Sequence, residues 1–200
     1  MSRAARQPAA GGINRKIIIY ATLAVVAIAA IVAVALANRV PKAAETLDPT
    51  TALKVGAKAP EFTASTNLGP FDLATVTTPV FLEVFATWCP HCQHEVPIVD
   101  AVAKQYAGRV TFVGVTGSPY GIDGSSPENQ ADLDGWVQKL GVTYPVAFDP
   151  NLTVANQYLQ GGYPTIVMIG TDKLVHYISS GEVAPQQLVT ALNSILSSHS

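Results

Sequence analysis

The chain contains two cysteines, Cys89 and Cys92, which stand where an apolar segment gives way to a helical pattern. Residues 79–85 are apolar and partly β-branched, which is the composition of a buried strand. After the pair, apolar residues recur at helical spacing, at Val96, Val99, Val102, Ala103 and Tyr106. The pattern therefore predicts a strand that runs into a helix, with Cys89 at the helix N-terminus and Cys92 one turn further in.

That position favours redox chemistry at Cys89. Unpaired backbone N–H groups and the helix dipole favour a thiolate there, and the thiolate is the form that attacks a disulfide. Cys92 can then resolve the mixed disulfide by closing a small ring. Pro90 suits the first helical turn, and a positive charge on His91 would make the disulfide more oxidising.

A Cys-x-x-Cys pair has two other common uses. A zinc site would need His91, His94 or His176 to complete its ligand set, because no second cysteine pair exists. A purely structural disulfide is disfavoured, since so short a loop constrains the unfolded chain little. A redox-active pair is the better prediction.

The segment Ala86-Thr87-Trp88-Cys89-Pro90-His91-Cys92 resembles the active site of the thioredoxin superfamily. Over about residues 56–197 the surrounding pattern resembles the membrane-tethered TlpA/ResA/DsbE-like branch. The resemblance implies an α/β thioredoxin-like fold, with a central mixed β-sheet flanked by helices. It also implies disulfide exchange with exported proteins and requires no metal or organic cofactor. A peroxiredoxin is disfavoured, because position 86 is Ala where that chemistry needs Thr or Ser.

Several further residues are candidates for the site. Glu83 lies in the apolar strand, where a buried carboxylate would have a raised pKa and could exchange a proton with Cys92; the alternative is a side chain that reaches solvent. The resemblance implies a cis-proline at Pro164 that faces the disulfide, next to Tyr163. Substrate binding is predicted for Trp88, Pro90, His91, Tyr163 and Pro164.

Other residues near the motif were predicted to be structural or solvated. Trp136 is predicted to lie in the core. His94 and Glu95 are predicted to lie on a solvated helix face. Glu128 could approach the site from a long loop, but a solvated loop residue is the preferred interpretation.

The N-terminal segment predicts a membrane anchor. Residues 17–37 are 21 residues without a charge, and as a helix they would span about 31 Å, close to the thickness of a bilayer core. Arg15 and Lys16 precede them and favour a cytoplasmic N-terminus. The alternative is a signal peptide cleaved after Ala37. Either way the domain is exported.

The distribution of charged residues also separates the N-terminal segment from the rest of the chain. Six of the 12 basic residues precede residue 43 and all 14 acidic residues follow it, so residues 43–200 carry a net charge of −8. An acidic domain of this kind disfavours nucleic-acid binding. The predicted organisation is a disordered tail at 1–16, the membrane helix at 17–37, a linker at 38–55 and the domain at 56–200.

Periodicity and turn signals predict the elements of the domain. Strand candidates lie at 56–62, 69–73, 79–85, 110–115, 146–148, 165–169 and 174–178, and helix candidates at 90–106, 130–140, 151–158 and 185–196. Residues 116–129 are predicted to form a long loop.

Two directions of electron flow remain open. The resemblance to the tethered branch favours a reductase, such as one acting on apocytochrome c with electrons from a membrane redox partner. The Pro90-His91 dipeptide favours a DsbA-like oxidase of exported proteins. From another class, the pair and a histidine could form a non-catalytic metal-binding or copper-delivery module.

Overall fold

The computed structural model describes residues 53–198 together with Ile19, Tyr20 and Ile28. The predicted tail and almost all of the predicted membrane helix and linker therefore lie outside the described residues. Within the described part of the chain, no helix is both long enough and apolar enough to cross a bilayer.

The domain is built on a seven-stranded mixed sheet. The strands are β1 Thr63–Thr66, β2 Gly69–Asp72, β3 Val80–Phe85, β4 Thr111–Thr116, β5 Val146–Ala147, β6 Thr165–Ile169 and β7 Val175–Ser180. Their order is β2-β1-β5-β4-β3-β6-β7. The β3-β4 and β4-β5 pairs are parallel, and the remaining pairs are antiparallel.

Within residues 53–198 there are four helices: α1 Pro90–Gln105, α2 Gln130–Leu140, α3 Ala155–Tyr158 and α4 Pro185–Ser198. The ends of α2 show why its prediction was accurate. Asn129 and Asp132 form a capping box at its start, and Gly141 ends it with a φ of 67°.

Strand β3 divides the core into two layers, because successive side chains point to opposite faces. Phe81 and Phe85 pack with residues of α1, α2 and α4, among them Val99, Trp136 and Leu188. Leu82 and Val84 pack on the other face with residues of the β1-β2 region and α3, among them Phe62, Phe71 and Tyr158. By this alternation Glu83 points to the face that carries α1, which is the helix that bears the cysteines.

The structure confirms the mixed sheet with flanking helices and the buried position of Trp136. The first strand of the N-terminal hairpin was predicted wrongly. It spans Thr63–Thr66 rather than 56–62, because the earlier residues bond to the β6-β7 turn region instead: the Gly56 N–H donates to Val175 O and the Ala59 N–H to Lys173 O.

Helix α3 is also shorter than predicted. Asp149 accepts hydrogen bonds from the N–H groups of Thr153, Val154 and Ala155. This side chain organises residues 149–154 as turns, and the helix begins only at Ala155.

Candidate active site

The two cysteines lie where β3 ends and α1 begins, as predicted. The Cys89 N–H donates to Ala86 O at 3.1 Å, and Cys89 O accepts from the Gln93 N–H at 3.1 Å. Cys89 is the N-cap residue, and Pro90 occupies the first turn. Both cysteines are free thiols in the structure.

The segment before β6 lies against the first cysteine. The Cys89 thiol donates to Tyr163 O, with 3.7 Å between the sulfur and the oxygen. The Tyr163–Pro164 peptide bond is cis, which confirms the prediction for Pro164. Tyr163 is held from its other end, because its hydroxyl donates to Gly117 O at 2.6 Å. The pair of residues predicted to bind substrate therefore borders Cys89.

The two thiols differ in environment. Cys89 is 4% exposed and Cys92 is fully buried. Burial raises the pKa of Cys92 far above its ordinary value, and the nearby charge of Glu83 adds to the effect. Cys89 can therefore meet an incoming sulfur, whereas Cys92 can react only with Cys89 or with a group already inside the site.

Glu83 is buried, so the alternative of a side chain reaching solvent is wrong. The Tyr144 hydroxyl donates to its Oε2 at 2.8 Å, while its Oε1 has no hydrogen-bond partner. Burial and the charge of Glu95 raise the pKa of Glu83 to about 8. A carboxyl group with this pKa can take up or release a proton near neutral pH, as the relay role requires.

Glu95 is also buried, and its predicted place on a solvated face is wrong; His94 is exposed as predicted. The reason is a long-range contact: the Val183 N–H donates to Glu95 Oε1 at 2.9 Å. Burial, together with the charge of Glu182, raises the pKa of Glu95 to about 7. One signal was available, since Cys92, Glu95 and Val99 share a helical stripe.

Glu128 reaches the site, contrary to the preferred interpretation of a solvated loop residue. The Thr87 hydroxyl donates to Glu128 Oε1 at 2.9 Å, and Glu128 Oε2 is buried without a partner. Burial raises the pKa of Glu128 to about 7, against the opposing effect of the Thr87 hydrogen bond. Three carboxyl groups with raised pKa values therefore lie on the strand, the helix and the loop that adjoin the motif: Glu83, Glu95 and Glu128.

Trp88 joins the motif to the long loop at 116–129. Its indole N–H donates to Ser118 Oγ at 2.8 Å, and the Tyr120 N–H donates to the same oxygen at 3.0 Å. The ring of Trp88 also meets that of Tyr163 edge-on at 5.9 Å. Trp88, which precedes Cys89 in the chain, remains exposed, as do Tyr120 and Ile122 of the loop.

His91 lies on the surface, with its Nδ1 2.5 Å from Glu182 Oε1. Among the described residues, no three His, Cys, Asp or Glu side chains are grouped so as to hold a metal ion. His176 pairs with Asp172 at 3.0 Å.

Sequence reasoning missed several members of the site. Ser118, Tyr144 and Glu182 are separated from the motif by tens of residues, and only the fold brings them to it. No local spacing identifies them.

A dithiol at a helix N-terminus, opposite a cis-proline and above a buried acid, defines a thioredoxin-like thiol–disulfide oxidoreductase. Residues 54–195 match the Redoxin family, and the chain belongs to that family.

Named relatives agree with this assignment. The chain is 27% identical to the thiol-disulfide oxidoreductase ResA of Geobacillus thermodenitrificans, over 72% of this chain and 80% of the relative. It is 28% identical to the thiol:disulfide interchange protein DsbE of Escherichia coli, over 86% and 89%. Among solved structures, a thioredoxin-family thiol:disulfide interchange protein of Chlorobium tepidum superposes with a TM-score of 0.58 at 27% identity, covering 72% of this chain and 99% of that one.

Proposed function

We propose that the protein reduces disulfides in exported proteins through Cys89 and Cys92, on the outer side of a membrane. The observation that carries this proposal is the asymmetry of the pair. Cys89, which is 4% exposed, borders the Tyr163–Pro164 segment, and the fully buried Cys92 follows it on the helix that packs on the face to which Glu83 points.

In the first step the Cys89 thiolate attacks a client disulfide. A bond forms between Cys89 Sγ and one client sulfur, the client S–S bond breaks, and the released client thiolate takes a proton from water. The backbone at Tyr163 offers an extended client segment a place to pair beside the sulfur.

In the second step Cys92 resolves the mixed disulfide. Its buried thiol must first lose a proton, and ionised Glu83 is the base that we propose accepts it. Cys92 Sγ then attacks Cys89 Sγ, the client leaves as a thiolate that is protonated by water, and the Cys89–Cys92 disulfide remains. A reductant outside the domain, a second dithiol at the membrane, would restore the dithiol.

The reductive direction is supported by the charges around the pair. An oxidant of this class is strong when its reduced form is stabilised, as by a cation near the thiolate. Here Glu182 Oε1 lies 2.5 Å from His91 Nδ1. A carboxylate in that place offsets a cation near the Cys89 thiolate, which favours the disulfide form of the protein and makes its dithiol a reductant.

The redox equilibrium of the pair in glutathione buffers tests the direction. We expect a potential nearer to the ~−270 mV of thioredoxin than to the ~−120 mV of DsbA, together with catalysed reduction of insulin disulfides. A potential near the DsbA value, with catalysed oxidation of a reduced client, would make the protein an oxidase instead.

We also propose that residues 17–37 anchor the protein, with its N-terminus in the cytoplasm. The uncharged stretch after Arg15 and Lys16 supports this arrangement. Membrane fractionation with external protease tests it, because an anchored domain stays with the membrane until it is cleaved in the region 38–55. Release of the domain without protease would favour cleavage of a signal peptide.

The apolar surface of Trp88, Tyr120 and Ile122 is expected to contact protein clients. Replacing Tyr120 by serine should raise the KM for insulin reduction about three- to tenfold, a loss typical of one exposed aromatic contact, and leave exchange with glutathione unchanged. Leu68→Ser provides the matched control, since Leu68 is an exposed apolar residue of the β1-β2 turn. Equal effects of the two variants on insulin reduction would argue against this surface.

A further inference from the structure

The segment between β7 and α4 places a carboxylate beside the histidine of the motif. Glu182 Oε1 lies 2.5 Å from His91 Nδ1 and 3.6 Å from His94 Nδ1. Buried Glu95 is close enough for the charge of Glu182 to raise its pKa. Glu182 therefore faces two histidines and one acid, all of them on α1.

The fold fixes the backbone on both sides of Glu182. The Gly181 N–H donates to Pro164 O at 2.8 Å, and Gly181 has a φ of 83°, which favours glycine. The Val183 N–H donates to Glu95 Oε1 at 2.9 Å. One neighbour of Glu182 is thus held by the cis-proline segment and the other by the cysteine-bearing helix. These two hydrogen bonds fix the backbone of Glu182 next to His91.

We propose that Glu182 is a positioning residue that acts through His91 and makes the Cys89–Cys92 disulfide a weaker oxidant than the Pro90-His91 dipeptide alone implies. This inference rests on the proposed function. A positive His91 stabilises the Cys89 thiolate and hence the reduced protein. A carboxylate held against the imidazole opposes that charge, so the reduced form loses part of its stabilisation.

Replacing Glu182 by glutamine removes the carboxylate that faces His91 and His94 and keeps a side chain of similar size. The surroundings of His91 then carry less negative charge. Less negative charge there favours the thiolate, and the equilibrium with glutathione shifts toward the reduced protein.

The test is the equilibrium constant between the full-length chain and glutathione at pH 7 and low salt, where surface charges are least screened. We expect Glu182→Gln to be about three- to tenfold more oxidising, and a tenfold change corresponds to about 30 mV for this two-electron couple. Asp172→Asn is the control, because Asp172 pairs with His176 at 3.0 Å in a similar histidine–carboxylate pair outside the motif; it should leave the constant unchanged.

A second background separates action through His91 from a general charge effect. In a His91→Gln chain, Glu182→Gln should change the constant by a clearly smaller factor than in the parent, because the carboxylate then faces only the more distant imidazole of His94, at 3.6 Å. The absence of a shift in the parent background, or equal shifts in both backgrounds, would overturn this inference alone. Failure of the parent chain to exchange with glutathione at all would instead overturn the proposed function.

Discussion

Replacing Cys92 by serine is expected to turn the protein into a trap that holds its client through a disulfide to Cys89. Replacing Cys89 by serine is expected to abolish exchange, with a loss of roughly a thousandfold or more, as when an enzyme loses its nucleophile. The difference follows from position. Cys89 is the sulfur that borders the Tyr163 carbonyl, whereas Cys92 is fully buried and its pKa is raised by that burial.

Mass spectrometry under non-reducing conditions measures both outcomes. Each single variant is incubated with a disulfide-linked peptide and then alkylated, and the mixed disulfide is quantified. The Cys92→Ser chain should carry the peptide on Cys89, and the Cys89→Ser chain should carry almost none. The double variant is the control for non-covalent binding. Comparable capture by Cys92 would show that the buried thiol is accessible and that the assigned order of attack is wrong.

Local pattern was sufficient for most of the secondary structure. Helix α2 and strand β6 have the bounds that periodicity predicts, because each is delimited by local signals such as the capping box and Gly141 at the ends of α2. The first hairpin strand was displaced because its predicted residues bond to a turn more than a hundred positions away. The sequence near a strand does not contain that information.

In the site, too, local sequence signals identify some residues, while others depend on contacts distant in sequence. The cysteines, Pro164 and Glu83 could be located from one motif and one strand. Glu95 and Glu128 were misassigned because a glutamate in a helix or loop is normally solvated. Each is buried by a partner distant in sequence: Val183 for Glu95 and Thr87 for Glu128. Only the tertiary structure shows that three acids rather than one have raised pKa values in the elements that adjoin the motif.

Replacing Glu83 by glutamine should raise the free energy of unfolding relative to the parent as pH increases, and it should slow catalysis. In the folded protein the pKa of Glu83 is about 8, whereas its ordinary value is 4.5. Between these two values the unfolded chain releases the proton and the folded protein keeps it. The folded protein then binds more protons than the unfolded chain, so Glu83 makes the free energy of unfolding fall as pH rises from about 4.5 to about 8.

Glutamine has no proton to lose and should remove that fall. Relative to the parent, the free energy of unfolding of Glu83→Gln should therefore increase by about 4 kcal/mol between pH 5 and pH 9, a value that follows from 1.36 kcal/mol per unit of pKa difference. Urea unfolding followed by tryptophan fluorescence at several pH values measures it. Glu61→Gln is the control, because it makes the same change at an exposed glutamate, which pairs with Lys58 at 4.0 Å; the increase described above should be specific to Glu83→Gln.

The catalytic effect should appear in the resolving step. Without the carboxylate, Cys92 loses the base that we propose accepts its proton, and release of the client should slow about a hundredfold at pH 8, the lower end of what general-base catalysis contributes. In the parent, stopped-flow measurement of release should show a rate that rises with pH and levels off above about 8, as Glu83 ionises. In Glu83→Gln that inflection should be absent.

Tyr144→Phe distinguishes a proton-transfer role from a merely structural one. The Tyr144 hydroxyl donates to Glu83 and lowers its pKa against the larger effect of burial. Removing the hydroxyl should therefore move the inflection of the release rate to higher pH while the carboxylate, and the catalysis, remain. If the inflection stays in place in Tyr144→Phe, or survives in Glu83→Gln, the group that titrates is not Glu83, and the base that accepts the Cys92 proton must be sought at Glu95 or Glu128.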